Sequence, residues 1–483
     1  MEQENYILTE NPESVGKDDI KQYKGHIYRI LSYSIPLSVS MACKPLMNLV
    51  DFIRANPDTI QSIQTIHGCY ILTSFIPQTL GAIILYGLVT LCSRSYSCGD
   101  FEKFFDVYKA GLQVSTLFGL LYTIISLPLV KVLLQLINID AEQMDIASKY
   151  CYMSIGLGTI VSMWSICINA VLLSTKHQYV AFMGMILEFL TVILCTLLPV
   201  KVYDADAIIC RAIAQPAGAL VNLIFCCSFV YKSHSVGSCL LPNVRTFFTR
   251  ANNYKDIFKY GAVGVATNLS PLITSSTSRY LIAFKTDNEA SIIHSISTAF
   301  GIIYLLEAIP QSICKGFCLA ALARASHEFY HNRKLLLRKL IKFAYVCTTF
   351  IMVAAALLLS SLNNYIADIL FDPTVPDLEL TTDVIKHSLI ITLPMQSITG
   401  GTILAPIILQ VLDKPMIAFV LSLIPSIALL GPITYGLLTI SELPFIIIWA
   451  YPISDIFSTI CVHFIMLVKV PKHALCPTKA VEK

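Results

Sequence analysis

Runs of about 20 apolar residues follow one another almost from end to end of this sequence, and that succession limits its fold more than any other feature. A helix needs roughly that length to cross the hydrocarbon of a bilayer. Lipid offers no partner to a backbone N–H or C=O, so each run must close its hydrogen bonds within itself, as an α-helix does. Composition points the same way: 55% of the 483 residues are hydrophobic, only 13% are charged, and the mean hydropathy is +0.68. An ordinary soluble domain is about a quarter charged.

Spans are predicted near 29–53, 68–92, 109–135, 149–174, 179–202, 207–231, 257–284, 291–318, 341–370, 384–411, 415–438 and 443–468. Twelve spans place both termini on one side. Most of the 34 lysines and arginines fall on that side, whereas the opposite loops and their edges hold only Arg54, Lys131, Lys149, Lys201, Arg211, Lys285 and Lys386. The positive-inside rule therefore predicts cytoplasmic termini. The first 27 residues, with Glu2, Glu4, Glu10, Glu13, Asp18 and Asp19, lack the basic start and apolar core of a cleaved signal, so the first span is expected to direct insertion. The 16 cysteines lie mostly within spans and form no metal-like Cys-x-x-Cys pair; they read as packing residues. The sequon at Asn268 falls inside a span and is expected to stay unglycosylated.

The chain also repeats itself. Residues 28–235 and 255–469 share a six-span layout at an offset of about 230 residues, flanked by tails 1–27 and 470–483 and joined by a linker, 236–254. Each half has a charged amphipathic stretch after its second span, Ser93–Lys109 and Arg324–Lys342, expected as a cytoplasmic helix or loop. Each half also has an acidic loop before its fourth span and a short basic turn after it, around Lys176 and Lys414. The expected architecture is all-α: twelve transmembrane helices in two pseudo-symmetric six-helix lobes, with a cleft between them where a solute would sit.

Charges placed inside spans are the candidate functional residues. A carboxylate there costs roughly 2.5–3.5 kcal/mol on insertion scales, so it persists only with a partner, water or a task. Asp51 either takes up and releases a proton as the cleft changes sides or pairs with Arg54 at the helix end. Lys44 lies on the same face, about 10.5 Å from Asp51 along a straight helix. It would hold an acid ionised or favour anionic cargo. In the second half Arg279, Glu307, Lys315 and Asp455 are also intramembrane, and Glu307 with Lys315 is a candidate buried pair. Asn48, Asn169, Gln215, Asn222, Asn268, Gln311, Gln396 and Gln410 either line the cleft or bond across helices.

Several short elements resemble the multidrug and toxin extrusion (MATE) transporters, nearest to their prokaryotic DinF-like branch. They are Leu31 to Pro36 followed by Met47-Asn48-Leu49-Val50-Asp51, Gly99-Asp100, Lys176, and Leu412-Asp413-Lys414-Pro415. The likeness covers about residues 25–470 and lies more in order and spacing than in letters. It implies a monomeric antiporter, not an enzyme, that exports small organic solutes or drugs in exchange for protons or sodium by alternating access. It also implies cation coupling at Asp51. The branch carries Asn-x-x-x-Asp on its fifth helix, and the alignment puts Glu188 at the asparagine and Val192 at the aspartate. Glu188 is thus the expected helper, one turn from the usual acid. Expected cavity residues are Lys44, Asn48, Asn169, Gln215, Asn268, Arg279, Glu307 and Gln396.

Two other readings compete. A flippase for a lipid-linked saccharide shares this architecture with a wider, more basic cleft. His327-Glu328-Phe329-Tyr330-His331 is a literal His-Glu-x-x-His, the zinc signature of a membrane metalloprotease, though no third ligand stands at a familiar spacing. No Walker loop or dinucleotide fingerprint is present, and neither a cofactor nor a nucleic-acid partner is expected.

Overall fold

The computed structural model describes residues 31–49 (except 33, 40, 44, 47 and 48), 68–136, 139, 141, 143–175, 177–202, 207–232, 249–285, 290–331, 333–362, 365–366, 376–440 and 444–469. It places most of their side chains, leaving out those at 136, 197–211, 231–232, 270–302, 304–305, 334–335, 376–382, 384, 426, 444–445, 447 and 467–469. Among the described residues there are helices and the turns between them, and no strand. Twelve helical segments follow in order: α1 (31–49), α2 (Gly68–Ser97), α3 (Phe101–Leu136), α4 (Met144–Ser174), α5 (Gln178–Val202), α6 (Ala207–Lys232), α7 (Tyr254–Lys285), α8 (Ala290–Tyr330), α9 (Lys334–Ser361), α10 (376–411), α11 (Pro415–Ile440) and α12 (444–469). Nine helices among the described residues are long and apolar enough to cross a membrane.

Local chemistry sets the ends. Gly99, at φ 70°, turns the chain from α2 into α3, and the Asp100 carboxylate then accepts the backbone N–H of Lys103 as an N-cap. In the second half Asp413 adopts φ 61°, a conformation that Asp tolerates through its short polar side chain, and Pro415 follows at the first position of α11. The charged stretches after the second spans are not separate elements. α3 starts at Phe101 instead of 109, and α8 runs unbroken to Tyr330 instead of ending at 318. Both sequences change from apolar to amphipathic there without any breaker, so the helix continues past the lipid.

Three helices are locally re-wound. In α2 a π-helical turn spans Ile71–Phe75 beside Pro77, whose missing N–H leaves a carbonyl without its usual donor. In α10 a 3₁₀ turn at Gln396–Ile398 follows Pro394, and in α11 a π stretch at Ile424–Leu430 contains Pro425.

The halves meet chiefly where α2 packs against α7 and α8. There the backbones nearly touch. A Cβ added to Gly87 would lie 2.6 Å from the carbonyl oxygen of Ile257, one on Gly261 would collide with the backbone of Ile83, and one on Gly316 of α8 would lie 2.6 Å from the Cα of Ser38 in α1. Around these contacts one apolar core, including Ile84, Leu88, Ile257, Phe317 and Leu404, runs through both halves. Leu120, Ile124, Phe350, Leu357 and Ile460 point outward, as lipid-facing side chains do.

Candidate functional site

Past the glycine contacts the halves separate around a cavity, apolar over most of its wall with a few placed polar groups, with about 1410 Å³ of space free of protein atoms, part of it continuous with the exterior. Each helix presents one periodic face to it. α2 gives Phe75, Gln78, Thr79, Ala82, Leu85 and Tyr86; α4 gives Ser162, Ser165, Ile166 and Asn169; α5 gives Met185, Glu188 and Phe189. From the other half come Asn268 of α7 and Ala308, Gln311, Ser312, Lys315 and Leu319 of α8. Spacings of three and four residues put such sets on single helix faces.

Glu188 is held by a polar chain within the first half. Asn222 of α6 donates through Nδ2 to Glu188 Oε2 at 2.8 Å, the Cys226 thiol donates to Asn222 Oδ1 at 3.3 Å and lies 3.6 Å from Asn169 Oδ1, and Asn169 lies 3.5 Å from Ser165. α5 and α6 approach closely enough for this because Gly184 and Gly218 leave room for Asn222 and Glu188. Val192, where the resemblance aligns an aspartate, is buried against Ala214 and Phe189. The acid of α5 thus stands one turn away, on the cavity wall.

Among the other expected cavity residues, Asn169 and Asn268 line the space. Gln215 does not. It accepts a hydrogen bond from Ser74 Oγ at 3.0 Å and ties α6 to α2. Glu307 and Gln396 do not line it either. They are polar neighbours of each other, with Asp455 in electrostatic reach, so the break in α10 places Gln396 beside two acids inside the second half. Glu307 forms no pair with Lys315, which is eight residues or ~12 Å further along a straight α8. Lys315 Nζ instead lies 3.3 Å from Asn268 Oδ1 and 3.5 Å from the Thr267 carbonyl. Lys44, Asn48 and Asp51, and the side chain of Arg279, lie outside the described residues. The described cavity wall therefore carries one carboxylate and one ammonium, neither the wholly acidic nor the wholly basic lining that would separate a drug carrier from a lipid flippase.

At the end where α2 stops and α7 begins, a buried cation joins the halves. Arg94 Nη1 donates to the Tyr260 hydroxyl at 2.6 Å and lies 3.4 Å from Asp413 Oδ1, while Nη2 donates to the Gln410 carbonyl at 3.2 Å. The guanidinium sits 4.4 Å from the Tyr260 ring centroid and 5.0 Å from that of Tyr330. Tyr260 also donates to Asp413, and Gln410 Nε2 donates to Thr90 Oγ1 at 2.6 Å. Burial pushes the Asp413 carboxyl up, but the Tyr260 hydrogen bond, Arg94 and Lys259 outweigh it and hold it below the ordinary carboxylate value. Sequence reasoning missed this clasp because its four members are scattered over 319 positions, from Arg94 to Asp413.

The His-Glu-x-x-His segment forms the end of α8, and its chemistry is not that of a metal centre. Glu328 is fully buried, with Oε1 2.6 Å from Arg324 and 3.4 Å from His327 Nδ1, and Oε2 3.5 Å from Arg333. A carboxylate engaged by two guanidinium groups is not available as a general base. The rings of His327 and His331 stand 4.4 Å apart, and burial, then His327, pushes the His331 imidazole below its ordinary value.

Residues 36–198 match the MatE family model. No match was found among curated proteins. Solved structures resemble the whole chain: a MATE in complex with MaL6 (17% identity, TM-score 0.78, covering 92% of this chain and 96% of that one) and an outward-facing multidrug-resistance MATE transporter of the MOP superfamily (16%, 0.79, with the same coverage). A MOP-superfamily transporter from Pyrococcus furiosus, for which reverse polarity of the binding pocket suggests a different function, is similar at 16% identity and TM-score 0.80, with 92% and 96% covered. An inward-facing multidrug-resistance MATE transporter superposes at 0.70, with 15% identity, 92% of this chain and 100% of that one. Residues 36–198 thus resemble the MatE family, and the chain as a whole shares the all-helical fold of those solved transporters.

Proposed function

We propose that this protein is a secondary active transporter that exports small organic solutes in exchange for protons, exposing the cavity alternately to the two sides of the membrane. One observation carries the reading: a cavity with a charged group on each half lies between the halves, which Arg94, its partners and the glycine contacts hold together. Rocking of one half against the other would open that cavity to each side in turn. With both termini cytoplasmic, the end joined by Arg94 faces the cytoplasm. Glu188 is the proton carrier on the wall. Its second oxygen and its position on the cavity wall let protonation and cargo binding compete, and Asp51, in the first span read from the sequence, shares the task.

Proteoliposomes under imposed proton and sodium gradients test this with a panel of organic cations, zwitterions and anions. Wild-type protein is expected to move at least one of them against its gradient when protons flow inward. Glu188→Gln and Asp51→Asn should keep cargo binding and lose the response to pH. Gradient-driven transport unchanged in both variants rejects the coupling assignment, and sodium-driven transport without a proton response reassigns the ion.

A further inference from the structure

The cavity holds opposite charges on opposite halves, Glu188 on α5 and Lys315 on α8, and no ion pair within 4.0 Å joins them. Lys315 differs in kind from the other cation between the halves. Arg94 is matched by a hydroxyl, a carboxylate and a carbonyl, as expected of a structural charge away from water. Lys315 has two neutral oxygens at 3.3 and 3.5 Å, and among the described residues no carboxylate lies within 4.0 Å of it. On the facing wall Asn222 takes one oxygen of Glu188. The same cavity is also lined by neutral hydrogen-bonding groups, Gln78 and Gln311, and by the apolar surfaces of Phe75, Leu85 and Phe189.

An ammonium is a compact point charge with three donors and suits a single carboxylate, whereas the acid opposite suits an amine. Apolar walls with a few placed polar groups fix the orientation of a small molecule. We propose that the cargo is a zwitterion with an apolar body, its carboxylate seated on Lys315 and Asn268 and its ammonium on Glu188. This rests on the transporter reading above and narrows its cargo. It also fits exchange for protons: a proton on Glu188 removes the charge that holds the ammonium end, so the solute leaves as the proton binds. A cavity selecting cations alone would gain nothing from Lys315, which repels them.

The dipeptide Phe-Phe, its C-terminal amide and its N-acetyl derivative share one body and present a zwitterion, a cation and an anion. Calorimetric titration of the full-length protein in detergent is expected to rank the zwitterion tightest. Lys315→Met should weaken Phe-Phe by about 30-fold, the scale of losing one partner of a desolvated charge pair, and leave the amide unchanged or tighter. Lys315→Arg should restore most of the loss, and Glu188→Gln should weaken the amide but not the N-acetyl form. Tightest binding of the amide, failure of all three to bind, or a Phe-Phe affinity unmoved by Lys315→Met overturns the assignment. If an organic cation still moves under a proton gradient in that case, the transporter reading stands and only the cargo class falls; if nothing moves under any gradient, the transporter reading itself fails.

Discussion

At the scale of single residues, burial and partners decide which charges are structural. Arg94 is 11% exposed and bonded to three groups, whereas its ion-pair partner Asp413 is 52% exposed and can turn to water. Arg94→Met is therefore expected to destabilise the clasped state by about 1–3 kcal/mol, and Asp413→Asn by less. Spin-label distances across that end of the full-length protein would register the change as a widened separation. The carboxyl of Asp413 is depressed, so its contribution is present above the ordinary carboxylate value and is lost only as pH falls through the lowered one. At any pH above about 5 the clasp stays charged, and those distances should not respond to pH there. Glu328 illustrates what a motif hides. The pentapeptide was legible in the sequence, but the guanidinium groups of Arg324 and Arg333 that occupy its glutamate were not recognisable as its partners until the helix end was seen folded. Purified protein is expected to hold no stoichiometric zinc, and His327→Ala should change neither metal content nor transport. A full equivalent of zinc, lost in that variant, would reverse this conclusion.

At the scale of helices, existence was legible and extent was not. Apolar runs declare a span because the bilayer demands them, but nothing in the sequence marks where a helix leaves lipid while remaining helical, and so α3 and α8 extend beyond their predicted limits. The approach of α2 to α7 did carry a signal: Gly261 and Gly264, three residues apart, share a helix face, and small residues there let membrane helices meet at their backbones. Gly261→Val would drive a branched side chain into the backbone of Ile83. We expect it to lower stability by about 1–3 kcal/mol as overpacking does, and to abolish transport even where the protein still folds. Thermal unfolding in detergent and proteoliposome uptake measure the two effects separately. The polar helix α7 carries Thr267, Asn268 and the run Thr274 to Ser278, and its Asn268, expected at the cavity, lines it.

At the scale of the whole molecule the repeat is real in layout and unequal in chemistry. Arg94 and Arg324 stand 230 positions apart, matching the repeat offset, yet one reaches across to Tyr260, Gln410 and Asp413 while the other turns back to Glu328 on its own helix. Pattern alone reveals such correspondence but cannot say which copy keeps a contact between halves. The same inequality separates the acids, with Glu188 on the cavity wall and Glu307 beside Asp455 and Gln396 inside the second half. The meeting of α2 and α7 at Gly261 has a mechanical corollary. It lies near the start of a helix that continues 24 residues to Lys285, about 36 Å along its axis. With Gly261 as the fulcrum, a tilt of about 10° would sweep the distal tip by ~6 Å, enough to admit or shut out a molecule of dipeptide girth while the short arm hardly stirs.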